Sequence, residues 1–317
     1  MVSNLDSASE LFLADVGRIQ QNIAQASRQV SSGKKIAEPS DAPDEIAPLL
    51  QLRADLAHNT QIQSNLVLAQ ADANSADSAL GSAIQLMDSA QTLASQGTDV
   101  SLSATDRRSL AGQVQSLQQQ MVALSNTGVQ GRYIFSGDQD QTAAYQIIPI
   151  TNPPTDDPLG NGVTQISMSA ATRQVEDPAG GSFSASRTAQ EIFDTRNDDG
   201  TCAAGNVFAS LNALRLALEN SPDGDSSAIQ SAIGNLKQAS VHLNAEEAFY
   251  GNVQTRIQDS QTYAGNRDTQ LQTQASQIED ADVASAALEL TQANTQLSAA
   301  FQARAQMPTK TLFDYLG

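Results

Sequence analysis

The chain has 317 residues, a net charge of −18 at pH 7, no Trp and only 4% aromatic residues. Hydrophobic residues make up 40% and charged residues 16%, so small and uncharged polar side chains supply the rest. This composition is typical of long helices with thin cores. The acidic charge opposes binding to nucleic acid and to anionic membranes, because repulsion replaces the counterion release that drives such contacts. We therefore expect neither nucleic acid nor a membrane as a partner.

The chain contains a single cysteine, Cys202, which excludes an internal disulfide and a cysteine-cluster metal site. No stretch approaches the roughly 18 apolar residues that are needed to span a bilayer. The N-terminal segment MVSNLDSASELFLADVGR lacks the basic and apolar regions of a secretory signal peptide. We expect no membrane span and no conventional export signal.

The first predicted helix carries a narrow apolar stripe whose residues alternate at spacings of four and three, as in a coiled coil. Gly33 commonly ends such a helix by adopting a left-handed conformation, and the charges of Lys34 and Lys35 suit a helix C-terminus. The stripe consists of Leu5, Phe12, Val16, Ile19, Ile23, Ala26 and Val30.

The C-terminal part of the chain shows a matching stripe. It consists of Val283, Leu290 and Leu297, spaced by seven, with Ala287, Asn294 and Phe301 offset from them by four. A single amphipathic helix cannot bury such a stripe alone. The two ends therefore either pair with each other or pack between neighbouring copies, and the sequence is compatible with both arrangements.

The segments between the two ends predict further helices. A stripe of Leu, Ile and Ala predicts one long helix over residues 43–96. A capping box at residues 103–106 opens another helix, which stops near Asn126. A heptad that runs from Ile229 to Ile278 predicts a second long helix, and a shorter helix over residues 207–218 precedes it.

Residues 137–205 are rich in Gly, Pro, Asp and Thr, which predicts a small β-rich insertion. Just before it, GRYIFSG places a short aromatic strand between glycines, which adopt backbone angles barred to other residues. We interpret this motif as a hairpin that turns the chain out of the helical bundle. Its residues are Gly131, Arg132, Tyr133, Ile134, Phe135 and Gly137.

The predicted fold class follows from these elements. It is mainly α, a long coiled-coil-like helical bundle formed by both ends of the chain, with a hairpin and a small β-rich inserted domain.

The histidines and one acidic segment give no catalytic or metal-binding pattern. His58 and His242 are isolated within helical stretches, where an ordinary surface or core histidine is the usual case. The segment 194–200 resembles a calcium loop only superficially, since Arg196 occupies a ligand position and the later Glu is missing. We interpret this segment as a solvated turn.

A second acidic group consists of Glu279, Asp280 and Asp282. On a helix, their side chains would point in different directions. These carboxylates suit the N-terminal dipole of a helix that begins there better than acid–base chemistry. We predict a protein that is not an enzyme and that has no catalytic residues, cofactor or metal.

Four segments, in this order, carry a resemblance to a known family. They are QVSSGKKIAEPSDAP, GRYIFSGDQDQTAAY, SQIEDADVASAALELTQ and TLFDYL. Together with the N-terminal heptads, they resemble the flagellin superfamily, and within it the proteins that join the flagellar hook region to the filament. The resemblance covers residues 1–145 and 205–317 and leaves the insertion unmatched.

The resemblance implies a structural subunit of the bacterial flagellum with three regions. Residues 1–40 and 281–317 would form a terminal helical assembly domain. Residues 41–136 and 206–280 would form a helical bundle with the hairpin, and residues 137–205 an outer insertion. Nine residues of the two apolar stripes are expected to mediate assembly, and we call them the seam residues. They are Leu5, Phe12, Ile19, Ile23, Val30, Val283, Leu290, Leu297 and Phe301.

The resemblance also implies partners and a location. The partners would be further copies of the chain in a ring-like homo-oligomer, hook-associated protein 1, flagellin and a flagellar export chaperone. Export through the flagellar type III channel would place the protein outside the cell, in the flagellum, without a cleaved signal peptide.

Two alternatives stay open at this point. A filament flagellin shares the two helical ends, but GRYIFSGDQDQTAAY and the ending LFDYLG favour a junction protein. Met307 and Pro308 favour a flagellin, because a proline so near the end interrupts the last helix in the manner of a flagellin tail. A non-flagellar coiled-coil scaffold explains the heptads but not the ordered motifs.

Overall fold

The computed structural model describes residues 7–149, 157–221 and 225–306. Helices dominate, as the long apolar stripes predict. They are α1 (Ser7–Ser32), α2 (Pro43–Gly97), α3 (Ala104–Ser125), α4 (Ala189–Phe193), α5 (Val207–Asn220), α6 (Ser227–Glu279) and α7 (Val283–Gln306).

The chain forms two compact units. Unit 1 contains Met1–Thr60 and Asn266–Gly317, and unit 2 contains Gln61–Gly265. Helices α2 and α6 contribute residues to both units.

The predicted helices are confirmed with boundaries close to those expected. The stripe over residues 43–96 forms α2, and the heptad from Ile229 to Ile278 lies within α6. The predicted capping box begins α3, where the Asp106 amide donates to the Ser103 hydroxyl at 3.2 Å and the Ser103 amide donates to the Asp106 carboxylate at 3.3 Å. Each of these signals is local in sequence, so it identifies an element without knowledge of its neighbours.

Unit 1 contains an antiparallel pair of helices, α1 and α7. Near the N-terminal end of α1, the rings of Phe12 and Phe301 lie with their centroids 6.2 Å apart. Near its C-terminal end, the Ala281 amide donates to the Gly33 carbonyl at 2.9 Å. Helices α1 and α7, for which the sequence allowed two arrangements, therefore pair within the chain.

Unit 2 has one hydrophobic core to which α2, α3, α5 and α6 all contribute. The heptad positions Leu243, Tyr250 and Ile257 of α6 are almost fully buried, as the periodicity predicts. On α2, small side chains such as Ala73 and Ala83 are fully buried between larger ones. Because alanine is small, these positions let the backbone of α2 lie close to its neighbours.

Short antiparallel strand pairs occur in the hairpin before the insertion and in the insertion itself, and the apolar residues of the insertion belong to the core of unit 2. The strands are β1 (Gly128–Val129), β2 (Arg132–Tyr133), β3 (Tyr145–Ile147), β4 (Val163–Gln165), β5 (Gln174–Glu176) and β6 (Ser182–Ser184). Strand β1 pairs with β2, β3 with β4, and β5 with β6. Val163, Phe183 and Phe193 join the same buried cluster as the helices.

Candidate assembly surface

On α1, the residues of the predicted stripe are buried or half-buried. Val16 and Ala26 are 8% and 2% exposed, while Phe12, Ile19, Ile23 and Val30 are half-buried. Leu5 lies outside the described residues. The stripe therefore marks the more buried side of α1, as its spacing predicts.

On α7, the most buried positions differ from the predicted stripe. They are Ala286 and Ala293, at 3% and 6% exposure. Leu290 and Leu297 are half-buried, whereas Ala287 and Asn294 are exposed. The predicted stripe consists mainly of larger apolar side chains. Alanine permits the closest approach of one helix to another, so the alanines are the most buried residues of α7.

Several large apolar side chains of α1 and α7 remain exposed although the two helices pack together. We call them the outer apolar residues: Leu11 (65% exposed), Leu13 (58%), Val283 (45%), Leu288 (69%) and Phe301 (52%). Val283 and Phe301 belong to the predicted seam, and the other three do not. Exposed apolar patches on soluble proteins commonly mark sites of protein association.

The hairpin motif forms a tight turn in unit 2. Gln130 and Gly131 have φ angles of +52° and +78°, between Val129 and its strand partner Arg132. Two consecutive positive φ angles define the type I′ turn that matches the twist of an antiparallel hairpin. Gly131 supplies the second of them without steric cost.

The strand in this motif is shorter than predicted, because β2 ends at Tyr133. Phe135 is fully buried, with its ring centroid 5.8 Å from that of Phe193 and 6.3 Å from that of Tyr250. Its carbonyl accepts a hydrogen bond from the Ala189 amide at 2.7 Å. Phe135 therefore packs into the core of unit 2 just after the end of β2.

A buried carboxylate connects distant segments of unit 2, which the sequence did not predict. Asp194 is fully buried and accepts hydrogen bonds from the Tyr145 hydroxyl at 3.0 Å, Asn161 Nδ2 at 3.0 Å and Asn206 Nδ2 at 2.7 Å. Arg196 Nε also donates to it at 3.0 Å. Burial raises the pKa of Tyr145, and the charge of Asp194 adds to the rise. Asp194 is therefore a core group and not part of a solvated turn.

The turn between α6 and α7 holds a charged cluster in unit 1 that sequence reasoning also missed. Asp282 behaves as predicted, since its Oδ1 accepts hydrogen bonds from the Ala284 and Ser285 amides at the start of α7. Glu279 instead forms ion pairs with Lys34 and, at 2.9 Å, with Arg53. These partners are more than 200 positions away in sequence, so no local pattern reveals them.

The described part of the chain offers no constellation for metal binding, because no group of three His, Cys, Asp or Glu side chains there could hold an ion. The Cys202 thiol is half-buried and donates to the Leu159 carbonyl at 3.4 Å, and burial raises its pKa. His242 Nε2 lies 3.0 Å from the Glu191 carbonyl. Within the described ranges, none of the helices combines the length and the apolar character needed to cross a bilayer.

Comparison with known families finds two matches, one at each end of the chain. The bacterial flagellin N-terminal helical region matches residues 4–140, and the bacterial flagellin C-terminal helical region matches residues 233–316. Together these matches cover more than half of the chain and leave out most of the insertion.

Individual proteins show the same likeness. Flagellar hook-associated protein 3 of Escherichia coli K12 is 30% identical over 207 residues, which are 63% of this chain and 61% of that protein. The chain thus aligns with about three fifths of the length of this relative.

Solved structures show a similar fold. Flagellar hook-associated protein-3 of Legionella pneumophila has a TM-score of 0.59 at 11% identity, covering 72% of this chain and 98% of its own. FlgL of Xanthomonas campestris has a TM-score of 0.56 at 18% identity, covering 71% and 99%.

Proposed function

This chain belongs to the flagellin family, and from that premise we propose that it is a structural subunit that joins the flagellar hook to the flagellin filament. The two family matches include the helices α1 and α7 that pair in unit 1, and both matches extend into unit 2. The E. coli relative carries the name of a hook-associated protein, which supports the hook end of the filament as the place of action. The role is structural and not enzymatic.

The observation that carries the proposal is the surface of the α1–α7 pair. Each outer apolar residue is at least 45% exposed in the single chain. Burial of apolar area is the dominant favourable contribution to most protein–protein association. A ring of subunits in which neighbouring pairs cover these residues would gain this energy, whereas an isolated chain exposes them to water.

We propose for this chain the three regions that the family resemblance implies. Residues 1–40 with 281–317 form the terminal assembly domain, residues 41–136 with 206–280 the bundle with its hairpin, and residues 137–205 the outer insertion. The half-buried seam residues hold α1 and α7 together in this proposal, whereas the exposed seam residues Val283 and Phe301 act with the other outer apolar residues at contacts between copies.

The proposed partners are further copies of the chain, hook-associated protein 1 on the hook side, flagellin on the filament side, and a flagellar export chaperone before assembly. Their contacts would cover the apolar surface of the terminal helices. The proposed location is the extracellular flagellum, reached through the flagellar export channel. Family membership disfavours a non-flagellar scaffold, and filament flagellin is the remaining alternative.

A pair of matched substitutions tests the assembly surface. Leu13 in α1 and Leu50 in α2 are both 58% exposed and both lie in unit 1. Leu13→Asn should lower swimming motility, and the amount of the chain in sheared flagella, several-fold, because it removes a large apolar group from the proposed contact. Leu50→Asn should leave both near wild type.

Circular dichroism of the purified variants should show unchanged helicity, which separates lost assembly from lost folding. Equal effects of the two substitutions, or none, would refute the assignment of the contact to the α1–α7 pair.

A further inference from the structure

The end of α6 carries a carboxylate at an unfavourable place in unit 1. Glu279 is the last residue of α6, where the final carbonyl groups already give the helix end a partial negative charge. Its side chain is only 11% exposed. A charged carboxylate in this position requires cations close by.

Two cations from separate elements meet that requirement. Lys34 lies in the linker between α1 and α2, and Arg53 lies in α2, and both side chains pair with Glu279 Oε1. Their own side chains are 49% and 52% exposed. The carboxylate is therefore the buried member of the cluster, while both cations keep contact with water.

The backbone of Glu279 also connects the linker between α1 and α2 with the linker between α6 and α7. The Glu279 carbonyl accepts hydrogen bonds from the Lys35 amide at 2.7 Å and from the Ile36 amide at 3.4 Å. Lys34 and Asp280 form an antiparallel bridge beside it. The linker before α2 and the linker before α7 are thus paired at one point, and Glu279 supplies both the backbone acceptor and the charge there.

We propose that Glu279 is an acid-released latch, whose charged carboxylate holds residues 33–36 against the end of α6 and whose neutralisation frees them. The groups that face this carboxylate are Lys34 from the linker and Arg53 from α2. Asp280 follows it in the chain, and its own carboxylate accepts from the Ser276 hydroxyl. This device goes beyond the proposed role in the flagellum and does not depend on it.

The direction of the pH dependence follows from the geometry. The hydrogen bond from Lys34 lowers the pKa of Glu279 below its ordinary value of 4.5, burial opposes this, and Arg53 adds to the lowering. A carboxylate whose folded pKa is depressed contributes stability above its unfolded pKa and loses it as the pH falls through the folded pKa. The latch is therefore closed at neutral pH and opens as the pH falls through the folded pKa of Glu279, which lies below the ordinary value of 4.5.

Two readouts on the full-length chain test the latch. At pH 7, trypsin should cut after Lys34 and Lys35 roughly tenfold faster in Glu279→Gln than in wild type, because cleavage follows the population of the opened linker. Cleavage after Lys237 in unit 2 should not change, which shows that the variant is folded. Asp15→Asn, which removes the exposed Asp15–Arg18 pair of α1, is the matched control and should behave as wild type.

Amide hydrogen exchange across residues 33–36 then separates a charge-dependent latch from a merely structural contact. In wild type, protection should fall as the pH drops through the lowered pKa of Glu279, at a pH below its ordinary value of 4.5. In Arg53→Gln, the fall should occur at higher pH, because one of the two cations is lost, and in Glu279→Gln no such transition should remain. Wild-type cleavage rates in Glu279→Gln, or the same pH transition in all three proteins, would overturn the proposal.

Discussion

At the scale of single residues, the most informative groups are polar side chains whose environment the sequence predicts wrongly. The stretch Asp194–Gly200 looks like a solvated turn because it is rich in acidic residues and Asn. Asp198 and Asp199 are indeed exposed, but Asp194 is fully buried among hydrogen-bond donors. These donors come from β3, the insertion and the start of α5, so only the tertiary fold identifies Asp194 as a core group.

Replacing Asp194 should destabilise unit 2 strongly. Asp194→Ala leaves Arg196 and the surrounding donors without their acceptor, and loss of one member of a buried charged pair costs about 3–5 kcal/mol. Urea denaturation monitored by circular dichroism measures the change in the free energy of unfolding. Asp198→Ala, on the exposed part of the same turn, should change it by less than about 0.5 kcal/mol. Equal small changes in both variants would show that the buried network contributes little.

Substitutions at two glycines distinguish the effect of backbone conformation on stability from the effect of the space available to a side chain. An added Cβ at Gly131 or at Gly112 would meet no atom within 4 Å beyond its chain neighbours and, in α3, the local helix backbone, but only Gly131 has a positive φ, of +78°. Gly131→Ala should lower the free energy of unfolding by about 1–2 kcal/mol, the cost of the left-handed conformation for an L-residue.

Gly112→Ala, in the exposed interior of α3, should raise the free energy of unfolding by up to about 1 kcal/mol. Thermal unfolding midpoints should shift in opposite directions for the two variants. A shift in the same direction would contradict the role assigned to the turn.

At the scale of elements, periodicity predicted the long helices well and the packing of α7 less well. The heptad of α6 coincides with its buried face because a pattern held over that length averages out local exceptions. In α7, the large residues of the expected stripe are half-buried or exposed, while Ala286 and Ala293 are buried. Hydrophobic spacing identifies an amphipathic helix. It does not show which side of that helix packs closest to a neighbour, because this depends on where the neighbouring helix lies.

The pairing of α1 with α7 should depend on Phe12 and not on its neighbour Leu13. Phe12 is half-buried against Phe301, and Arg304 lies over its ring at 5.6 Å. Phe12→Ala should cost about 1–2 kcal/mol, less than the 3–5 kcal/mol of a fully buried Phe. It should increase amide hydrogen exchange along both helices.

Leu13→Ala should leave exchange in the isolated chain unchanged, because this side chain is 58% exposed. If it loosened the pair as much as Phe12→Ala, Leu13 would belong to the intramolecular contact and not to the outer surface.

At the scale of the whole molecule, the sequence predicts the order of helices and the position of the insertion, but not the contacts that join distant segments. Lys34 and Glu279 illustrate the limit. The local pattern wrongly assigned Glu279 to a helix N-terminus, whereas it is the last residue of α6, and neither residue indicates the other. The scarcity of aromatic residues and the large share of small and uncharged polar side chains correctly indicated long helices. The ordered motifs at the two ends indicated the family, and the two family matches confirm it.

The central claim is that this flagellin-family chain acts at the boundary between hook and filament. Immunogold electron microscopy of isolated flagella, with an antibody raised against residues 137–205, tests it most directly, because this proposed outer segment lies largely outside the two family matches. The proposed function predicts label confined to the hook–filament boundary. Label along the whole filament would make the chain a filament flagellin, and flagella without label would contradict a structural role in the organelle.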